Sequence, residues 1–151
     1  MKIKISLIFL FAVLFIFTGC TFKPATPDDF PKKLSPCEVT ILQGGTPLQG
    51  ARVALSPQDE NQKNWGISGT TNAEGVVQFY TYGKWEGAPE GTFKVTVVKH
   101  LVEGPENKKT TYTLIDTKFA EPETTPITLE VKNKTTQTFD VGAAIKKKIP
   151  N

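Results

Sequence analysis

The chain has 151 residues, a formal net charge of +3, 22% charged side chains and 38% hydrophobic ones. With 18 basic against 15 acidic residues it lacks the strongly basic surface that nucleic acids select, so no nucleic-acid partner is expected. One histidine and two cysteines cannot supply the ligand set of an ordinary zinc centre, and no metal or other cofactor is expected.

Residues 1–19 read as an export signal. Lys2 and Lys4 precede the apolar run "ISLIFLFAVLFIF", which is shorter than the roughly 20 residues a membrane-spanning helix needs. The run closes on "FTGC", Phe17 to Cys20, which resembles the lipobox of bacterial lipoproteins. That resemblance implies cleavage before Cys20 and acylation of Cys20, a membrane partner held through lipid, and a domain in the cell envelope outside the cytoplasm. Phe17 departs from the aliphatic residue usual at that place, and the other reading is an ordinary secretory signal with an incidental cysteine. Removing 19 of 151 residues leaves 132, and losing Lys2 and Lys4 lowers the formal charge from +3 to +1. With Cys20 acylated, Cys37 has no disulfide partner and reads as a small buried hydrophobe.

Residues 20–36 hold four prolines, two acids and four lysine or cysteine side chains without a period, the composition of an extended tether. From Cys37 to Gly142 short alternating runs are separated by Gly, Pro and Asn, and no helical period is sustained. "CEVTILQ" places Cys37, Val39 and Ile41 on one face, and "GARVALS" does the same for Ala51, Val53 and Leu55. A third run extends from Trp65 to Thr70, and Asn72 with Gly75 predicts a hairpin into "VVQFYTY". There Val77 and Phe79 oppose Val76, Gln78, Tyr80 and Tyr82. The strand "TFKVTVVKH" turns Phe93, Val95 and Val97 inward. Residues 101–126 form a long polar excursion in which "TYTLI" is a candidate edge strand. "ITLEV" and "TFDV", joined by "KNKT", are expected to pair, and the basic tail 143–151 to fray.

Seven candidate strands make an all-β fold, a seven-stranded antiparallel β-sandwich of Greek-key type. Three stretches in order, "GTPLQGARVAL", "GTTNAEGVVQF" and "EGTFKV", resemble carboxypeptidase regulatory-like, or transthyretin-like, domains. Combined with the lipobox and the later "EPETTPITLEV", they also resemble small envelope lipoproteins of planctomycete-like bacteria. The resemblance implies a prealbumin-like sandwich and carries no activity with it.

No catalytic constellation is found, and the chain is expected not to be an enzyme. His100 and Arg52 are the only counterparts of the histidines and arginine by which some transthyretin relatives hydrolyse a purine-breakdown product. No G-x-S-x-G, phosphate loop or dinucleotide fingerprint occurs. The candidate contacts are aromatic: Tyr80 and Tyr82, outward by the two-residue period, Trp85 on the loop beyond, and Trp65 from the neighbouring strand. They suit a protein or polysaccharide partner. The alternatives are a purely structural envelope lipoprotein without a dedicated ligand, in which the rings cover the sandwich end, and an unrecognised hydrolase.

Overall fold

The structure is a computed structural model and describes residues 26–150. The predicted signal, Cys20 and the first part of the tether lie outside the described residues. The chain divides into a short N-terminal unit, Met1–Phe30, and a compact unit, Pro31–Asn151. The compact unit therefore takes in residues 31–36, which the sequence assigns to the tether. Ser35 is fully buried and pairs with Ala88 through both backbone groups, at 2.8 and 3.1 Å, and Lys33 reaches Glu90 at 3.0 Å and Asn133 at 2.7 Å.

The strands in chain order are β1 (Cys37–Gln43), β2 (Thr46–Pro47), β3 (Arg52–Pro57), β4 (Ile67–Thr70), β5 (Val76–Gln78), β6 (Tyr80–Thr81) and β7 (Trp85–Glu86). They continue with β8 (Gly91–Val98), β9 (His100–Glu103), β10 (Thr110–Thr113), β11 (Thr128–Val131), β12 (Thr135–Asp140) and β13 (Lys147–Lys148). One sheet runs β11-β8-β3-β4-β6-β7, and a second is β12-β1-β2 with β5 also on β1. They form the expected β-sandwich. Phe79, Phe93, Ile41, Leu55, Ile67, Val39, Val53, Val77, Val95, Val97 and Leu129 fill the space between them. These are the inward residues of the alternating runs, whose burial between two sheets is what a period of two makes available.

The pairing departs from the predicted one in four places. The turn at Asn72–Gly75 forms, with Asn72 Oδ1 accepting from the Val76 amide at 2.8 Å and Gly75 at φ +75°, yet it is no hairpin. β4 lies in the six-stranded sheet and β5 on β1, so the turn carries the chain from one sheet to the other. The run "VVQFYTY" is likewise two strands: at Phe79 it leaves β1 and joins β4. "ITLEV" and "TFDV" do not pair with each other, since β11 runs antiparallel to β8 while β12 runs parallel to β1 in the register Cys37↔Thr135 to Leu42↔Asp140. The tail is held rather than frayed: β13 pairs with β10, and Ile149 N donates to Thr111 O at 2.9 Å.

A third, three-stranded sheet has the order β13-β10-β9, and the 101–126 excursion supplies β10 and most of β9 to it, then a single 3-10 turn, Thr117–Phe119. It is polar on average but supplies Ile115, 1% exposed, and Phe119, 5% exposed, to the core. Asp140 fastens the β1–β2 turn to the end of β12. Its carboxylate accepts from the amides of Gly142 (2.7 Å), Gly45 (2.7 Å) and Gly44 (3.0 Å), and these bonds hold its pKa below the ordinary aspartate value.

Candidate functional site

The β6–β7 hairpin carries most of the candidate rings. Thr81 pairs with Trp85, and Tyr82, Gly83 and Lys84 make the loop between them. Tyr82 has φ +51° and Gly83 φ +66°, with Lys84 N donating to Thr81 O at 3.2 Å. Positive φ at both central positions is the hairpin turn that Asn-Gly ordinarily takes. Among the described residues Tyr82 is the only non-glycine at positive φ. A bulky residue there costs roughly 1–2 kcal/mol. What offsets that cost is the ring. It lies edge-on to Trp65, with centroids 6.0 Å apart, and to Trp85 at 6.3 Å, and Gly66 sits beside it. Edge-to-face pairs of this spacing contribute about 0.5–1.5 kcal/mol each beyond buried area. Thr81 is buried beneath the loop and donates its hydroxyl to Gly87 O at 2.8 Å.

The four predicted contact residues therefore do not share one rim. Tyr82, 41% exposed, and the half-buried Trp85 form the presented part. Trp65 is buried at 8% exposure and supports Tyr82 from below, with Lys63 Nζ 4.5 Å from its ring centroid. Trp65 has the parity of the buried Ile67, so the two-residue period carried back from β4 already turns it inward. Tyr80, 37% exposed, belongs elsewhere: it is opposite Ser68 on β4 and Glu86 on β7, on the outer face where the two sheets meet.

Around Tyr80 lies an open trough that no sequence pattern marks. A depression of about 430 Å³ is lined by Glu38, Thr70, Asn72, Glu74, Gln78 and Tyr80, among others. A neighbouring one of about 210 Å³ shares Glu38 and Gln78 with it and continues to Glu86, Thr136 and Lys134. The cross-strand register Glu38↔Gln78 is what brings β1's carboxylate beside β5, and no local signal encodes a partner forty residues away. Only the shared outward parity of Gln78 and Tyr80 was readable.

The remaining reactive groups are dispersed. Cys37 is buried and burial pushes its thiol up to about 11, so it is not a thiolate nucleophile. Arg52 is exposed in β3 opposite Thr70 and Val98, and His100 is exposed at the start of β9 opposite Thr113. Among the described residues no group of three or more His, Cys, Asp or Glu side chains converges, and no helix is long and apolar enough to cross a membrane.

No family model matches the chain, and no curated protein matches it. Among solved structures it is similar to the major pilin subunit of Bacillus cereus. The two share 18% identity and a TM-score of 0.44 over 76% of this chain, and the match spans 30% of the pilin chain. A second structure of that pilin gives 19% identity and a TM-score of 0.45. A 9R-lipoxygenase from Cyanothece PCC8801 matches at 16% identity and a TM-score of 0.36, over 80% of this chain and 18% of that one. These likenesses cover a minor part of longer chains and assign no role to this one.

Proposed function

We propose that this chain is a non-catalytic, lipid-anchored cell-envelope protein whose sandwich is an interaction module for a protein or glycan partner, of the carboxypeptidase regulatory-like kind its motifs resemble. The anchor is Cys20, supported by the basic start, the short apolar run and "FTGC". Three acyl chains there would bury enough methylenes, at about 0.8 kcal/mol each, to hold the protein on a membrane without a spanning helix.

The observation that carries the binding role is Tyr82. A large ring kept at φ +51° and left 41% exposed, where asparagine or glycine would sit without strain, is retained for what the ring does. Trp65 and Trp85 flank it edge-on, so the half-exposed ring stands on an aromatic base and carries a hydroxyl, the kind of group that anchors a partner. The structural reading, in which the rings only seal the hairpin, draws on the same edge contacts.

Two variants separate these. Cys20→Ser should move the protein from the membrane fraction to the soluble envelope fraction. Tyr82→Asn keeps the turn geometry and removes the ring. The interaction role predicts a thermal midpoint within a few degrees of wild type and loss of a discrete partner from envelope extracts. Retained capture with a lowered midpoint would leave Tyr82 as a structural plug.

A further inference from the structure

We infer that the trough around Tyr80 is a saccharide site suited to a hydroxyl-rich chain bearing free amino groups, that is, an amino-sugar oligomer. The inference deepens the interaction-module reading and rests on it, but places the contact at a different surface from the Tyr82 hairpin.

The trough sits at the corner where one continuous run, Val76 to Thr81, crosses from β1 to β4. Because the crossing at Phe79 preserves the alternation, Gln78 and Tyr80 both point outward, and the outer surfaces of the two sheets merge there. One half-exposed ring is thus ringed by planar hydrogen-bonding groups: Glu38 and Gln78 on one side, Glu86 across the strand, and Asn72 with Glu74 at the turn. Among the described residues none of these three carboxylates is ion-paired or hydrogen-bonded through its side chain. Lys134, at the far end of the smaller depression, is the one cation on the lining. The wall therefore sets three unpaired carboxylates against one cation, among neutral hydroxyls and amides. The complementary ligand brings donors, as hydroxyls and ammonium groups do, and brings an apolar C–H face for the electron-rich face of the ring. An anionic chain would meet carboxylates along most of its length and is disfavoured.

A cationic peptide offers ammonium groups too, but extended peptides gain their affinity by adding a strand to an open sheet edge. Along β5, which lines the larger depression, that edge is covered, while β12 and β7 end their sheets beside the smaller one. Gly69 lies so close against β5 that a Cβ on it would overlap the Gln78 carbonyl oxygen and sit 2.6 Å from Val77 Cγ2. Between β4 and β5 no room remains for main-chain pairing, so a ligand in the larger depression beside Tyr80 is met by side chains, as a sugar chain requires. The open, elongated shape favours several sugar units rather than one enclosed molecule.

The test is calorimetric titration of the full mature chain, in detergent, with glucosamine hexamer, N-acetylglucosamine hexamer and hexalysine. Glucosamine hexamer should bind, and raising the salt should weaken it. Tyr80→Ala should weaken it about tenfold, the loss expected for one ring contact, and Tyr80→Phe should restore it to within about twofold. Glu74→Lys, an exposed change in the turn that carries little folding risk, should abolish binding. Tyr82→Asn should leave it unchanged, and its failure to do so would return the contact to the hairpin. No binding by glucosamine hexamer, equal binding after Tyr80→Ala, or tighter binding of hexalysine than of either sugar would overturn the inference. A discrete partner still lost in Tyr82→Asn under those outcomes would leave the broader interaction role standing.

Discussion

Gly69 offers the sharpest test of the sheet crossing. Its backbone is not in the left-handed region, so Gly69→Ala adds only a methyl group. At an unhindered strand position that change stabilises a protein by roughly 0.5–1 kcal/mol. Here the methyl would overlap the Gln78 carbonyl oxygen and come within 2.6 Å of Val77 Cγ2, where ordinary carbon contacts lie at about 3.5–4.0 Å. The first obstacle is backbone and cannot swing aside, so the upper part of the usual overpacking cost applies, about 2–3 kcal/mol. One kcal/mol shifts the midpoint of a domain of this size by about 4 °C, giving an expected fall of about 8–12 °C. Thermal and urea unfolding of the mature protein measure it, with the urea slope expected to stay unchanged. Adding Val77→Ala should not rescue the midpoint, because the carbonyl contact remains. An unchanged or raised midpoint in Gly69→Ala would refute the close crossing of β4 and β5.

Three further outcomes follow from particular contacts. Asp140 has a folded pKa below its ordinary 3.8, so its bonds add stability that is fully present above that value and is lost as pH falls through the lower folded pKa. Asp140→Asn should lower the midpoint at pH 7 and flatten its decline in acid, as melts from pH 6 to pH 2 will show. Cys37, 5% exposed with its thiol at about 11, should react with a thiol reagent only on unfolding, so labelling should be slow at pH 8 and rise sharply across the urea transition. Removing residues 143–151 should deprotect the amides of β10 to hydrogen exchange while leaving β8 protected, because β13 is β10's second neighbour.

What the sequence makes legible is face, and what it leaves out is partner. Cys37, Val39, Ile41, Val53, Leu55, Val77, Phe79, Phe93, Val95 and Val97 are all buried as their alternation requires. The same alternation runs unbroken through Phe79, so it cannot mark the point where the chain changes sheets. The parallel pairing of β12 with β1 joins residues about a hundred positions apart, and the threonine-rich "TTQTFD" has an exposed middle that gives no strong inward face. Ile115 and Phe119 were hidden by the polarity of the residues around them. For the site, outward parity was enough to single out Tyr80 and Tyr82. Their separation into a hairpin rim and a corner trough depends on the Tyr82 turn and the Glu38↔Gln78 register, both set by tertiary packing.

We propose above that this sandwich is anchored outside the cytoplasm and meets a partner through its β6–β7 hairpin. Photo-crosslinking in living cells tests it most directly, with a light-activated side chain in place of Lys84 on the hairpin, and the same group in place of Glu130 on β11 as the control. The account predicts a discrete crosslinked species in the membrane fraction from position 84 and none from position 130. No species from either position, or the same set from both, would contradict it.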